Sequence, residues 1–424
     1  MTAAATSEPR ASTHRYLALA LLFLVYAFNF IDRQILGILV PAIKADLHFT
    51  DTELGWLGGP AFAVFYTALG VPIAWLADRS SRTWIMTIAL VAWSGFTAAC
   101  GYAANFTQLF LARLGVGVGE AGGVAPAYSL ISDYFPPNER ARALAAFSFG
   151  IPIGSAAGIL IGGLIASRLD WRIAFITVGL AGIALAPIFR LFVREPKRGR
   201  YDAQANNSAK ASILDTARVL AAKPSYWLLS FGAASSSIMG YGLFFWMPSF
   251  LARSYGFSVE QVSLYYGALL LIGGVAGVWL GGVLADAMGK SKRSRYAQIP
   301  AIAFVLALPC YVLGLLSSSP TLAFLLFLPP TALGLMWLGP VITAVQHLAP
   351  AQMRTTASAL FLFINNLIGL GLGSLLIGTV SDALAAQFGD ESLRYSVLAG
   401  TGFYLIAALL MFAASRTLAR DWAD

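Results

Sequence analysis

Charge is what this sequence has least of. Lys, Arg, Asp and Glu make up 11% of its 424 residues, where a soluble domain carries about a quarter. Cysteine is almost missing: Cys100 and Cys310 both fall in apolar runs, which argues against a disulfide framework and leaves packing as their role. The three histidines, His14, His48 and His347, show no ligand spacing, so no metal site is expected. There is no Gly-rich phosphate loop ending in Lys-Ser or Lys-Thr, hence no ATP site of that kind. No nucleophile is patterned with a base, and an enzyme is the least favoured class. The opening "MTAAATSEPRASTHRY" has no basic stretch feeding a short apolar core. It reads as a retained cytoplasmic tail, not a signal peptide.

What fills the space is apolar. Hydrophobic residues reach 58% and mean hydropathy is +0.72. Twelve apolar runs occur at 16–40, 54–76, 84–104, 107–131, 143–167, 172–193, 226–250, 262–285, 297–317, 321–346, 356–380 and 396–416. Each has the roughly 20 residues that cross a hydrocarbon core of about 30 Å. The expected fold is an all-α polytopic membrane protein.

The net charge of +8 does not point to nucleic acid, because its distribution is one-sided. Of the 28 Lys and Arg, 21 fall in the tails and loops on the side of the N-terminus and five on the other side, Lys44, Arg168, Arg172, Arg253 and Arg394. Arg33 and Arg113 sit within spans. That asymmetry places both termini in the cytoplasm. The bilayer expected is the plasma membrane, for a bacterial chain the inner membrane.

The chain also repeats itself. "FTDTELG" (49–55) lines up with "FSVEQVS" (257–263), each holding a capping box, Thr50 with Glu53 and Ser258 with Gln261. The same shift of 208 sets Asp78 against Asp286, and "PPNERARALA" (136–145) matches "PAQMRTTASA" (350–359). Such order indicates a parallel duplication of a six-helix unit. The domains expected are a tail (1–15), a first bundle (16–193), a polar and basic linker (194–225), a second bundle (226–417) and a tail (418–424). "SILDTARVL" within the linker reads as a short surface helix.

Over essentially its whole length the chain resembles the major facilitator superfamily. "AWLADRSSR" is similar to that family's signature after helix 2, with Asp78, Arg79 and Arg82 in place; Ala74 stands where the family carries glycine. "RLGVGVG" in helix 4 supplies Arg113, Gly117 and Gly119 at the family's spacing. "NFIDRQILGILVP", "GVGEAGGVAPAYSLISDYF" and "ARALAAFSFGIPIGSAAG" resemble the spinster branch, and a bacterial homologue is expected. The resemblance implies two pseudo-symmetric six-helix bundles rocking around a central site. It implies a lipid-like substrate, since animal members are associated with export of sphingosine-1-phosphate or lysophospholipids. It also implies that Asp78, Arg79, Arg82, Arg140, Arg142, Asp286 and Arg354 form a cytoplasmic gate. Asp78 would accept from the N-terminus of helix 11 near Thr355 and Thr356, where the helix dipole is positive. For Arg82, as for Lys290, topology signalling by positive charge alone fits equally.

Asp32, Arg33, Arg113 and Glu120 lie well inside spans, all in the first half, although a charge at mid-membrane costs about 2.5–3.5 kcal/mol even on the lenient insertion scale. Arg113 and Glu120 are seven residues apart and share a helix face. Burial favours a neutral carboxyl and a neighbouring guanidinium favours an ionised one, so a group caught between them suits proton coupling. Asp32 and Glu120 are the expected proton carriers, with Arg113 orienting an acid or an anionic head group. Arg33 points about 100° away from Asp32 and would reach another helix or a wet vestibule. A static buried ion pair fits the same residues.

Asn29, Arg33, Tyr128, Tyr241, Phe244, Trp246, Trp337, Asn365 and Asn366 are the expected cavity lining, charge on one side and aromatics on the other, which suits an amphipathic substrate. The glycines of helix 5, Gly150, Gly154, Gly158 and Gly162, read as a packing stripe. The function expected is proton-coupled secondary transport of an amphipathic lipid or organic anion by alternating access. Rivals are a proton-driven multidrug or organic-anion exporter and, in a different class, a passive scramblase or channel-like pathway. No cofactor is expected beyond the proton gradient. The partners expected are the substrate, protons and the lipid bilayer, with no nucleic acid, and the chain is expected to be a monomer.

Overall fold

The computed structural model describes residues 8–201, 212–289, 292–350 and 353–423. Local signals start most of the helices. The first span is a single helix, Glu8–Leu47. The second opens at Thr50, whose hydroxyl accepts from the Glu53 amide while the Glu53 carboxylate accepts from the Thr50 amide. It continues as Asp51–Gly58 and Pro60–Ala77. The matching box at Ser258 and Gln261 opens the eighth span, Val259–Gly289. Ser81 caps the third span, Arg82–Cys100, and Asp170 caps the sixth, Trp171–Phe192. The seventh, Pro224–Tyr255, and the ninth, Arg295–Leu316, are continuous helices. The twelfth is Ser392–Gly400 followed by Gly402–Asp421.

Breaks recur at matching places in the two halves. The fourth span is Phe106–Glu120, a turn over 121–123, then Val124–Tyr134; its mate, the tenth, is Pro320–Leu333, a turn over 334–337, then Leu338–Gln346. The fifth is Pro137–Ser148 joined at Phe149 to Gly150–Arg168. Its mate, the eleventh, passes from Arg354–Asn365 through a π-helical turn, Asn366–Leu370, into Gly371–Phe388. Length and hydropathy alone pick out ten crossing helices among the described residues. The break after Glu120 leaves the fourth span a 15-residue helix, too short to count, and the eleventh and twelfth run together as Thr356–Asp421. Restoring the fourth and separating those two gives twelve.

Packing repeats with the sequence. Span 1 packs on span 5 as span 7 packs on span 11, and span 3 on span 6 as span 9 on span 12. The helix 5 stripe serves the first of these contacts: a Cβ on Gly154 would lie 2.3 Å from the Ala27 carbonyl oxygen and one on Gly158 2.8 Å from that of Ile31. The halves meet along spans 2 and 11 and along spans 5 and 8, with spans 1 and 7 touching between them. The linker helix, Ile213–Ala221, rests on the start of span 11 by Thr216 and Leu220.

Candidate functional site

Between the halves lies a cavity of about 990 Å³. Its first-half wall carries Arg33, Gln34 and Arg113 beside Phe30 and Phe62. Its second-half wall is Tyr241, Phe244, Phe245, Leu335, Trp337 and Leu338, relieved only by Ser236 and Ser237. A second cavity of about 430 Å³ continues from it inside the second half, sharing Gly240, Phe244, Gly334 and Leu335. Its lining is Met247, Leu269 and Leu270 with the rings of Tyr266, Tyr311 and Tyr404. A charged wall thus faces an apolar one.

The four intramembrane charges converge between spans 1 and 4. Arg33 Nε donates to Glu120 Oε2 at 2.7 Å. Its guanidinium is caged by aromatic rings, 5.1 Å from Phe30, 4.7 Å from Phe62 and 4.6 Å from Tyr66, contacts worth about 0.5–2 kcal/mol each. Arg113 also approaches Phe62, at 5.6 Å, and donates weakly to the Asp32 backbone carbonyl at 3.4 Å. Asp32 and Glu120 are fully buried, and neither lines the cavity. Both Asp32 carboxylate oxygens and Glu120 Oε1 lack a hydrogen-bond partner among the described residues. The acids therefore sit behind the wall that their basic partners present. Arg33, not Arg113, holds Glu120. Which side chain crosses to the next helix depends on the relative rotation of spans 1 and 4, and spacing within one helix carries no such information.

Several expected lining residues face elsewhere. Trp246 is fully buried, its indole N–H donating to the Ser374 carbonyl at 2.8 Å. Asn365 accepts from the Ser237 hydroxyl at 2.9 Å and is likewise buried, while Asn366 begins the π-helical turn. Asn29 borders a smaller pocket inside the first half, and Tyr128 packs edge-on against Phe147, centroids 5.6 Å apart, outside the main lining. Their depth in the membrane follows from hydropathy; their azimuth is set by which neighbour each span packs against. Phe30, Gln34, Phe62 and Leu335 line the cavity with no sequence signal that separates them from ordinary core.

The bonds that tie the halves together gather on the face opposite the termini. Asp51, 2% exposed, accepts from Arg253 Nη1 and Nη2 at 2.7 and 2.6 Å and from the Ser381 hydroxyl at 2.7 Å, all from the second half, and from Lys44 at 2.5 Å. Asp382 returns the contact, capping span 2 by accepting from the Asp51 and Thr52 amides at 3.1 and 2.7 Å and from the Thr52 hydroxyl at 2.6 Å. Glycines allow this closeness: a Cβ on Gly59 would stand 2.6 Å from the Gly371 carbonyl oxygen. Arg253 and Asp382 read in the sequence as ordinary loop residues, because their partners are 202 and 331 positions away.

On the terminal face the charges satisfy each other within one half. Arg82, 1% exposed, donates to Asp133 at 2.5 Å, Glu195 at 2.6 Å and Ser129 at 2.8 Å. Burial pushes the Glu195 carboxyl up, but the Thr83 amide and the Arg82 guanidinium outweigh it and hold Glu195 below its ordinary value. Arg198 donates to the carbonyls of Ala77 and Asp78, closing the C-terminal end of span 2. Of the expected gate, Arg79 stacks 4.0 Å over Trp75, Arg140 donates to the Ser132 carbonyl at 2.8 Å, Arg142 is exposed, and Arg354 approaches His347 at 3.3 Å. The Asp78 carboxylate is exposed and makes no ion pair among the described residues; its expected contact with Thr355 of span 11 lies outside them. The side chains of Asp286 and Thr355 lie outside the described residues.

Comparison with known proteins matches this arrangement. The model of the Major Facilitator Superfamily covers residues 22–373. A protein described as an MFS-type efflux pump from Mycolicibacterium smegmatis is 33% identical over 410 residues, spanning 96% of this chain and 94% of its own. Protein spinster homolog 1 of Xenopus tropicalis is 28% identical over 430 residues, 94% of this chain and 81% of its own. Crystal structures of a bacterial homolog to the human lysosomal transporter spinster cover 99% of both chains. In the inward-facing unoccupied conformation the TM-score is 0.87 at 32% identity, and in the inward-facing occupied one 0.82 at 31%. An integral membrane chain of two six-helix bundles, it belongs to the Major Facilitator Superfamily of transporters and is related to the spinster proteins within it.

Proposed function

We propose that the chain is a proton-coupled secondary transporter of amphipathic anions of the lysolipid type, working by alternating access. The observation that carries this reading is the placement of Arg33: its guanidinium lies in the cavity wall, caged by three rings, while it holds a buried carboxylate behind it. An anionic head group arriving at Arg33 and Arg113 competes with Glu120 for the same cation. Once released, Glu120 is a buried carboxyl without a counter-charge, a state that favours taking up a proton. Substrate binding and protonation are thereby exchanged at one side chain. The apolar wall and the 430 Å³ extension offer a place for a hydrocarbon tail.

In this reading the termini lie in the cytoplasm of a bacterial inner membrane, and the Asp51–Arg253 closure makes the present state inward-open. The expected contact between Asp78 and the start of span 11 closes the terminal face when the cavity turns outward. A second reading, a multidrug exporter, is favoured by the relative described as an efflux pump and by the aromatics Tyr241, Phe244 and Trp337.

The test uses purified protein in liposomes with a fluorescent lysolipid and, in parallel, a cationic dye. Wild type is compared with Asp32→Asn, Glu120→Gln and Arg33→Met across pH. Lysolipid movement that responds to pH in wild type and loses that response in either acid variant supports the reading. Equal movement in all variants without a pH response overturns proton coupling. Transport of the dye in preference to the lysolipid moves the assignment to the second reading.

A further inference from the structure

A second, smaller pocket of about 210 Å³ lies wholly within the first half, apart from the central cavity. Its inner end is bordered by Asn29 and Trp93, its outer end by Leu22, Tyr26, Met86 and Phe147. Leu22 precedes Asn29 by two turns of span 1, so the pocket extends roughly 10 Å along that helix toward the terminal face. Around its inner end the buried polar groups lack partners among the described residues: both amide atoms of Asn29, the Trp93 indole N–H and the Thr97 hydroxyl, together with the Asp32 carboxylate. All are at least nine-tenths buried. Trp93 and Thr97 stand next to Asp32, and Asn29 next to Glu120, without closing to direct hydrogen bonds.

A buried polar group left unpaired costs about 1–3 kcal/mol, and five such groups in one place are far more than packing tolerates. Groups that are adjacent yet not bonded are the arrangement that bridging water satisfies; a water needs two to four polar partners, and the space here suits about one water. We propose that an internal water binds here on Asn29, Trp93 and Thr97, and passes protons to the Asp32–Glu120 pair from the side away from the substrate cavity, by a path separate from it. The proposal rests on the two acids being the proton carriers. It adds that a substrate filling the central cavity does not block proton entry, because the acids are reached from behind the wall.

The experiment is a pH jump on detergent-solubilised protein with a pH-indicator dye in stopped flow, which reads proton uptake with no substrate present. Ala127, 1% exposed, lines the pocket, and Ala127→Leu fills it. Gly240 lines the central cavity with nothing within 4 Å of an added Cβ, and Gly240→Phe fills that instead. The expected result is uptake slowed at least tenfold in Ala127→Leu and unchanged within twofold in Gly240→Phe, with lysolipid binding showing the reverse pattern. The isosteric Thr97→Val guards against misfolding of the plug variant and is expected to slow uptake several-fold. Wild-type rates in both Ala127→Leu and Thr97→Val, or slowing in Gly240→Phe alone, overturn the separate path. The double variant Asp32→Asn/Glu120→Gln isolates the underlying assignment: if it takes up as many protons as wild type, the acids are not the carriers.

Discussion

Neutralising Asp51 is expected to open the face opposite the termini. Asp51 is buried and receives two hydrogen bonds from Arg253, at 2.6 and 2.7 Å, plus one from Ser381, all across the interface between the halves. Lys44 belongs to the same half and travels with Asp51 in either state. A two-pronged charged contact of this kind contributes about 2–3 kcal/mol after hydration of the separated partners is counted. Its loss changes the closed-to-open ratio by roughly 30- to 150-fold. In Asp51→Asn the Arg253 and Lys44 charges are left facing each other without an acid, which adds to the same direction. A closed population favoured by about 100 to 1 would become nearly even. The assay is pulsed electron resonance with spin labels at Ala45 and Ala385, which are exposed on the opposite halves of that face, in a background lacking Cys100 and Cys310. Wild type should give one short distance; Asp51→Asn and Arg253→Met should each add a longer one of comparable weight. An unchanged single distance in both variants refutes the claim that this contact holds the face shut.

Three further outcomes follow from the same geometry. Gly59→Ala places a methyl 2.6 Å from the Gly371 carbonyl oxygen, so it should also populate the longer distance between those labels while thermal unfolding stays within a few degrees of wild type. Arg82→Met leaves Asp133 and Glu195 without their cation and should cost about 3–5 kcal/mol, seen as a large fall in melting temperature in detergent. Because Glu195 is held below its ordinary value, its contribution is fully present above the unfolded value of about 4.3 and is lost as pH falls through the lower folded value. Wild type should therefore lose stability on acidification below that point, and Glu195→Gln should flatten the loss; parallel curves would exclude Glu195 as a contributor.

Much of this was legible along the chain. Twelve apolar runs, the 208-residue shift and the capping boxes at Thr50 and Ser258 lead to two bundles, because span length and helix starts are local properties. The four charges in spans 1 and 4 were conspicuous by their cost. What spacing could not show was their pairing. Arg33 reaches Glu120 across 87 positions, while Arg113, on the same helix face as Glu120, turns to the Asp32 backbone. Trp246 and Asn365 lay at cavity depth yet turn into the seam between spans 7 and 11. The Asp51 closure was hidden more thoroughly: Arg253 and Asp382 each suit a loop, and only folding brings Arg253 to the Asp51 carboxylate and Asp382 to the Asp51 and Thr52 amides.

The broken spans have a consequence for how the protein is made. The interruptions at 121–123, Phe149, 334–337 and 366–370 keep their amides paired, as Gly122 to the Gly119 carbonyl and Leu335 to that of Ala332, but they bend or loosen the ladder in a part of the chain where lipid offers no alternative partner. Such a segment is more secure once neighbouring spans cover it than alone in the bilayer. Span 4 bears this burden together with Arg113 and Glu120, and the segment that answers it, span 1 with Arg33, has by then already been synthesised. The second half repeats the interruptions without the charges. Its spans 10 and 11 need only shape to be accepted, which makes the first half the part of the chain whose order of synthesis is constrained.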